Sequence, residues 1–142
     1  MKLKFNVAIV GSGLTGNIAS LAPSKAGYKV ALIDPNKFKK FKNKTYDTRT
    51  TALSKKSKFF LASLNLWKLI EPHTCTIKNI MVNDGDIKDN IYFRDKHNTS
   101  HHALGYMIKN GTLFNSLITV IKKKKNITKY DAKVISFSRS LK

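Results

Sequence analysis

Two short apolar runs lie on either side of an amphipathic segment near the start of the chain. Phe5–Val10 is rich in β-branched residues, which predicts a strand buried on both faces. Leu14–Ala26 predicts a helix that ends at Gly27, and Val30–Ile33 predicts a second buried strand. A strand, a helix and a strand within about 30 residues predict a right-handed parallel crossover, and hence an α/β fold class.

A helical pattern follows a polar, Lys-rich connection at residues 36–48. Between Thr51 and Ile70, apolar residues recur at a spacing that predicts one amphipathic helix. These residues are Leu53, Phe60, Leu61, Leu64 and Trp67. Trp67 lies on that apolar stripe, so we expect it to be a core residue and not a cofactor contact.

Residues 73–108 have the pattern of an antiparallel β insertion. Alternating apolar residues lead to Asp84-Gly85 and resume at Ile91 and Phe93, which predicts a hairpin. Leu104–Ile108 predicts a further strand. Together with the crossover, this pattern predicts a Rossmann-like unit that carries an antiparallel insertion.

The last part of the chain, residues 109–142, predicts a helix and two short strands. Asn110 stands where a helix N-cap is expected, and Leu113, Leu117 and Ile121 share one helical face. The two terminal strands are expected near Ile127 and Val134. The chain is therefore predicted to divide into residues 1–72, 73–108 and 109–142.

The charge balance is strongly basic, with 27 Lys+Arg against 8 Asp+Glu and a formal net charge of +19. Nucleic acid or an anionic membrane surface could explain such a charge. Nearly all the basic residues are Lys and they are scattered, as A/T-rich codons would produce. We therefore expect no nucleic-acid partner, whereas weak attraction to a membrane surface stays open.

Cys75 is the only cysteine, so no internal disulfide can form and a cytoplasmic location is expected. No apolar run is long enough to cross a bilayer. The other candidate metal ligands lack convincing spacing, so no metal site is predicted. They are His73, His97, His101 and His102.

A glycine-rich segment joins the first strand to the first helix, with the sequence Gly11-Ser12-Gly13-Leu14-Thr15-Gly16. The first glycine allows a tight turn, the second lets a pyrophosphate approach the backbone, and the third lets helix and strand pack closely. The helix N-terminus offers N–H groups to phosphates. Asp34, at the end of the second strand, is placed to accept hydrogen bonds from a ribose.

The segment predicts dinucleotide binding through Gly11, Gly13, Leu14, Thr15, Gly16 and Asp34, and a glycine turn of purely structural value is the alternative. The crossover alone leaves FAD and NAD open.

Further residues resemble the FAD-dependent aromatic hydroxylases of ubiquinone biosynthesis (the UbiH type), within the para-hydroxybenzoate hydroxylase fold. They are Asp47-Thr48-Arg49, Ala52-Leu53, Ser57, Leu61 and Leu64-Asn65-Leu66-Trp67, followed by Leu104-Gly105-Tyr106, Asn110, Leu113 and Leu117. The resemblance implies the N-terminal portion of an FAD-binding domain. It also implies NAD(P)H as reductant, a polyprenyl aromatic substrate, and peripheral association with the inner membrane as one expectation.

By this resemblance, Arg49 would contact the flavin dinucleotide near its pyrophosphate, and Asn110 would approach the same cofactor. The alternative for Arg49 is a surface ion pair with Asp47, and for Asn110 a helix N-cap alone. No catalytic residue is predicted, because the flavin carries the oxygen chemistry in this family.

The chain departs from the family pattern at several points. Asn65 replaces a glycine, Lys109 replaces an acid, and Pro23 is expected to kink the first helix or end it early. The family's later motifs are absent, so the chain resembles roughly the first third of such an enzyme. We expect a hydroxylase portion that is inactive alone, and a separate C-terminal chain is one partner that would complete it. The alternatives are a truncated or degenerate non-catalytic dinucleotide-binding fragment and, ranked lower, a small NAD-dependent reductase.

Overall fold

The computed structural model describes residues 4–40, 48–83, 85, 90–94 and 103–138. They form two compact units, the first drawn from residues 1–46 and 113–142 and the second from residues 47–112. Several residues considered above lie outside the described parts: Asp47, Asp84, His97, His101 and His102. The division at residues 72 and 108 stays a prediction.

The elements follow one another along the chain in a mixed α/β order. They are β1 (Val7–Val10), α1 (Leu14–Lys25), β2 (Val30–Asp34), β3 (Thr50–Ser54), α2 (Lys55–Ser63), α3 (Trp67–Ile70), a 3₁₀ turn (Glu71–His73), β4 (Thr74–Ile77), β5 (Asn79–Val82), β6 (Ile91–Arg94), β7 (Gly105–Lys109), α4 (Asn110–Ile121) and β8 (Ile127–Asp131).

The first unit is built on a parallel sheet in the order β1-β2-β8. Val7 pairs with Val30 and Val30 with Ile127, so β2 lies at the centre. The apolar residues of β2 are buried accordingly, with Val30 and Leu32 fully enclosed. Helix α1 packs against β1 and β2. The parallel crossover predicted from the sequence is confirmed.

The prediction that β1 is buried on both faces is wrong. Only Val7 and Ile9 are partly covered, whereas Ala8 is exposed and Val10 is 67% exposed. Ile9 faces Gly16 of helix α1, so that helix covers one face. In the described part of the chain β1 pairs with β2 alone and is an edge strand, and its face opposite helix α1 is exposed at Ala8 and Val10.

Pro23 does not end helix α1 early, because the helix continues to Lys25. The proline stands in the last turn, where its missing N–H removes a single backbone hydrogen bond. Gly27 then adopts a left-handed φ of +87°, and the Tyr28 N–H donates to the Pro23 carbonyl at 3.0 Å. The predicted end of the helix at a C-terminal glycine is therefore confirmed.

The second unit contains an antiparallel sheet in the order β3-β7-β4, and this sheet corrects the helix predicted from Thr51. Residues Thr50–Ser54 are a strand because they pair along their whole length with β7. The helix starts only at Lys55, where the Ser54 hydroxyl accepts a hydrogen bond from the Ser57 N–H at 3.1 Å. Two adjacent β-branched threonines favour the strand.

The predicted hairpin is confirmed as the antiparallel pair β5–β6, although residues 83–90 connect the strands instead of a two-residue turn. Register and alternation place four apolar residues on one face, all of them exposed. We call this set the hairpin apolar face: Ile80, Val82, Ile91 and Phe93.

Helix α4 and strand β8 match the sequence prediction, whereas the last predicted strand is wrong. Leu113, Leu117 and Ile121 are buried, as their helical spacing predicts. Residues 132–138 form no strand, and the side chains of Ile135 and Phe137 are 95% and 93% exposed. Apolar alternation alone does not form a strand where no neighbouring strand pairs with it.

Asn65 is one of the departures from the family pattern, which has glycine at this position. Its φ of +59° lies in the left-handed region, and it is the one non-glycine residue described with a positive φ. Asparagine tolerates this conformation better than other residues with a Cβ. The position where the family pattern has glycine therefore has a backbone conformation that glycine adopts without steric cost.

We expect Asn65→Ala to lower the free energy of unfolding by about 1 kcal/mol, because alanine enters the left-handed region at greater cost. Asn65→Gly should equal or exceed the wild-type stability. Urea unfolding followed by circular dichroism measures both variants, and equal stability of the Ala and Gly variants would contradict the assignment.

Candidate dinucleotide-binding site

The glycine loop, residues 11–16, connects the carboxyl end of β1 to helix α1. Gly11 has a left-handed φ of +99°, and its N–H donates to the Ile33 carbonyl at 2.8 Å. A Cβ at position 16 would overlap the Gly11 carbonyl oxygen, so only glycine lets the helix approach this closely. A Cβ at Gly13 would meet nothing within 4 Å. The space beside Gly13 is therefore open to a ligand.

The first turn of α1 presents unpaired donors. Gly13 is the N-cap residue without a side-chain cap, and the first helical bond runs from the Asn17 N–H to the Gly13 carbonyl at 3.0 Å. Among the described residues, no acceptor meets the backbone N–H groups of Leu14, Thr15 or Gly16. Such donors, together with the positive end of the helix dipole, favour an anion.

Asp34 ends strand β2 beside this loop and is nearly buried. Its Oδ2 accepts a hydrogen bond from the Ser12 N–H at 2.6 Å, and its Oδ1 accepts one from the Asn36 N–H at 2.8 Å. The Ser12 bond, followed by the Asn36 bond, lowers the pKa of Asp34 although burial opposes the shift. The carboxylate is therefore ionised at neutral pH and stands against the glycine loop.

Two supporting residues were missed in the sequence analysis. The Lys129 ammonium lies near the ends of β2 and β8, 3.0 Å from the Asp34 carbonyl oxygen and 3.0 Å from Asp131 Oδ1. The Asn17 side chain donates from Nδ2 to the Ser12 carbonyl at 2.8 Å. A polar residue on the buried face of a helix was a usable signal for Asn17. Lys129 had none, because lysine is common throughout this chain.

The second unit brings together the two candidates that came from the family resemblance, Arg49 and Asn110. The Asn110 N–H donates to the Arg49 carbonyl at 3.0 Å, and the Thr51 hydroxyl donates to Asn110 Oδ1 at 2.6 Å. Helix α4 begins at Asn110 itself. The side-chain oxygen of Asn110 thus pairs with strand β3, which the N-cap interpretation did not anticipate.

Trp67 is 4% exposed and belongs to the core, as predicted. Its ring meets that of Tyr106 edge-on at 4.8 Å between centroids. The Lys58 ammonium lies 5.1 Å and 4.9 Å from the centroids of these two rings, in cation–π range. A hydrogen bond from Lys58 to the Tyr106 hydroxyl at 3.1 Å raises the pKa of the lysine.

The described residues include neither a metal-ligand cluster nor a helix that could span a membrane. They contain no group of three or more His, Cys, Asp or Glu side chains that could hold a metal ion. Over the same residues, every helix is too short or too polar to cross a membrane.

The sequence has one curated relative with a significant match, and no protein-family model matches it. The relative is ubiquinone hydroxylase UbiL of Rhodospirillum rubrum, 27% identical over 114 residues. The match covers 80% of this chain and 26% of the relative. The chain therefore spans about a quarter of that relative's length.

Solved structures share the fold at low sequence identity. The p-nitrophenol 4-monooxygenase PnpA of Pseudomonas putida superposes with a TM-score of 0.71 and 17% identity, covering 99% of this chain and 34% of PnpA. The flavin-dependent monooxygenase PieE, solved with FAD and substrate, gives a TM-score of 0.64 and 15% identity over 90% of this chain and 24% of PieE.

These comparisons confirm the resemblance to the N-terminal portion of FAD-dependent aromatic hydroxylases and the partial para-hydroxybenzoate hydroxylase fold. At the coarser level that the comparisons support, the chain is similar to a fragment of a flavin-dependent monooxygenase.

Gly16→Ala and Gly13→Ala should differ sharply in stability. The first variant places a Cβ on the Gly11 carbonyl, so we expect it to lose at least about 2 kcal/mol. The second places a Cβ in open space, so only the preference of the N-cap position for glycine over alanine is lost. We expect this to lower the free energy of unfolding by no more than about 1 kcal/mol. Urea unfolding measures both, and equal losses would refute the close approach at Gly16.

Asp34→Asn should destabilise the chain at neutral pH and lose this effect in acid. The folded pKa of Asp34 is lowered, so its ionised form stabilises the fold above the unfolded pKa of about 3.9. That contribution disappears as the pH falls through the lower folded pKa. Unfolding free energies of wild type and variant should therefore begin to converge at about pH 4 and should meet only below the folded pKa. A difference that is constant between pH 7 and pH 3 would contradict the ionised pairing.

Proposed function

We propose that the glycine loop and Asp34 bind the adenosine diphosphate half of FAD. The single observation that carries this proposal is the group of unpaired N–H donors of Leu14, Thr15 and Gly16, which stand beside an ionised carboxylate. The donors suit the pyrophosphate, and Asp34 suits ribose hydroxyls. An ionised carboxylate has about four lone-pair sites, of which two are occupied here. Acceptor capacity is therefore left for a ligand.

Each loop residue has a distinct role in this proposal. Gly11 turns the chain, Gly13 leaves space for the pyrophosphate, and Gly16 lets the helix end approach it. Leu14 and Thr15 contribute backbone donors, so their side-chain identity matters little. These residues fit a dinucleotide because one compact unit provides open space and backbone donors for the pyrophosphate and one acid for the ribose.

Arg49 and Asn110 are proposed as further contacts to the same cofactor. A guanidinium presents paired donors that match phosphate oxygens and stays charged at any working pH. The backbone bond between Asn110 and Arg49 holds these two positions side by side in the second unit. Their assignment rests on the family resemblance together with this proximity.

The choice of FAD over NAD rests on the relatives. The curated relative is named a ubiquinone hydroxylase, and PieE was solved with FAD. Bound FAD would supply the redox and oxygen chemistry, with NAD(P)H as reductant in the complete enzyme. The residues of this chain would bind and orient the dinucleotide, and none of them is assigned a catalytic role.

We propose that the complete enzyme is a monooxygenase that hydroxylates a polyprenylated aromatic ring in ubiquinone biosynthesis. A polyprenyl substrate is consistent with a cytoplasmic protein associated peripherally with the inner membrane. Since the match covers 26% of the curated relative, we propose that activity requires the regions that the match does not cover. Nucleic acid is not proposed as a partner.

A second candidate function is a non-catalytic dinucleotide-binding fragment. The observation that favours it is the small share of the relatives that the chain matches, 34% of PnpA and 24% of PieE. This candidate keeps the same cofactor site, so FAD binding alone does not distinguish the two. Turnover with an added C-terminal chain would distinguish them.

FAD titration of the purified chain tests the binding site. We expect saturable quenching of flavin fluorescence, at least tenfold weaker binding in Gly13→Ala, and no saturation with NADH. The expected loss arises because a Cβ at position 13 fills the space needed by the pyrophosphate.

The matched control is Gly85→Ala, an exposed glycine in the second unit with open space around it. This variant should bind FAD like the wild type. Equal binding by the Gly13 and Gly85 variants, or NADH binding as tight as FAD binding, would overturn the proposal.

A further inference from the structure

Asn17 is a fully buried polar residue in the first turns of helix α1. It is 0% exposed, and its Nδ2 donates to the Ser12 carbonyl at 2.8 Å. Its Oδ1 is buried and has no hydrogen-bond partner. The carboxamide is therefore half satisfied, and the satisfied half is bonded to the glycine loop.

Stability alone does not explain an asparagine at this position. Asparagine is a weaker helix former than alanine, and a buried acceptor without a partner opposes folding. Ser20, a polar residue that is buried further along the same helix, leaves no such unpaired atom. The one favourable polar contact of the side chain is the bond to Ser12.

Peptide geometry shows what this bond controls. In a trans peptide the C=O and the N–H of one plane point in opposite directions. The Ser12 carbonyl is directed at the Asn17 side chain, so the Gly13 N–H in the same plane points away from that side chain. On the other side of Ser12, its N–H is bonded to Asp34, which turns the Gly11 carbonyl toward Gly16. Both peptide planes that flank Ser12 are thereby fixed.

We propose that Asn17 is a positioning residue that directs the Gly13 N–H toward the pyrophosphate of the bound dinucleotide. The inference rests on the proposed FAD site and assigns Asn17 no contact with the ligand. The carboxamide acts through the Ser12 carbonyl, and the unpaired Oδ1 is the cost of that role. Without Asn17, the plane between Ser12 and Gly13 is free to rotate, and an ordered donor is lost.

The test compares Asn17→Ala with Ser20→Ala. Ser20 is a matched control because it is equally buried on the same helix, and its hydroxyl donates to the Asn17 carbonyl at 2.7 Å and not to the Ser12 carbonyl. We expect Asn17→Ala to keep or raise the melting temperature while FAD binding weakens at least tenfold. Ser20→Ala should bind FAD within twofold of wild type. A purely structural role would instead lower the melting temperature and leave the affinity unchanged, which would overturn the inference.

Asn17→Leu separates the hydrogen bond from the volume of the side chain. Leucine fills a similar space but cannot donate, so its FAD binding should be as weak as that of the alanine variant. Wild-type binding by the leucine variant would show that packing alone suffices, and it would refute the positioning role.

Backbone ¹⁵N relaxation in the ligand-free chain keeps this inference separate from the proposed function. The Gly13 amide of the wild type should have an order parameter in the rigid range, about 0.85, and Asn17→Ala should lower it below about 0.6, because the Ser12–Gly13 peptide plane is no longer held. The Ser12 amide, which Asp34 holds, should be unchanged, and Ser20→Ala should leave the Gly13 order parameter at the wild-type value. An unchanged Gly13 order parameter in Asn17→Ala overturns the inference, whether or not the wild type binds FAD. Absence of FAD binding by the wild type overturns the proposed function alone.

Discussion

The hydrogen bond from the Ser12 N–H to the Asp34 carboxylate joins two points of the chain that are 22 residues apart in sequence. It forms because Val10 pairs with Ile33 in register, which brings the ends of β1 and β2 side by side. The glycine loop then has no freedom to fold away from the sheet. The same contact is the largest of the causes that lower the pKa of Asp34.

A second set of contacts holds the other side of the same strand. The Lys129 ammonium, which is largely buried, binds the backbone of Asp34 and the carboxylate of Asp131. Since β2 is central, its carboxyl end is fixed by the glycine loop on one side and by β8 on the other. The acid is thus rigidly placed, while the helix N-terminus beside it keeps unpaired donors. Unsatisfied groups on a rigid frame are what a preorganised binding site requires.

The sequence predicted the crossover, the glycine loop and its acid because these depend on local pattern and on glycine chemistry. It failed where pairing with distant residues decides the outcome. Leu53 fits a helical stripe as well as a strand, and pairing with β7 makes Thr50–Ser54 a strand. The same limit applies near Val134, where none of the described strands pairs with the predicted strand. The buried helical face gave a signal for Asn17, but its role depends on a backbone carbonyl, whose position no sequence pattern specifies.

The hairpin apolar face has a consequence for the solubility of the chain. Two such faces pack about 10 Å apart when sheets stack, so copies must approach within that distance to associate. A net charge of +19 on each copy opposes this approach. The repulsion is screened over about 8 Å at physiological ionic strength and over about 30 Å at 0.01 M. We therefore expect charge repulsion to keep the copies apart in dilute salt. As salt is added and the repulsion is screened, the chain should self-associate.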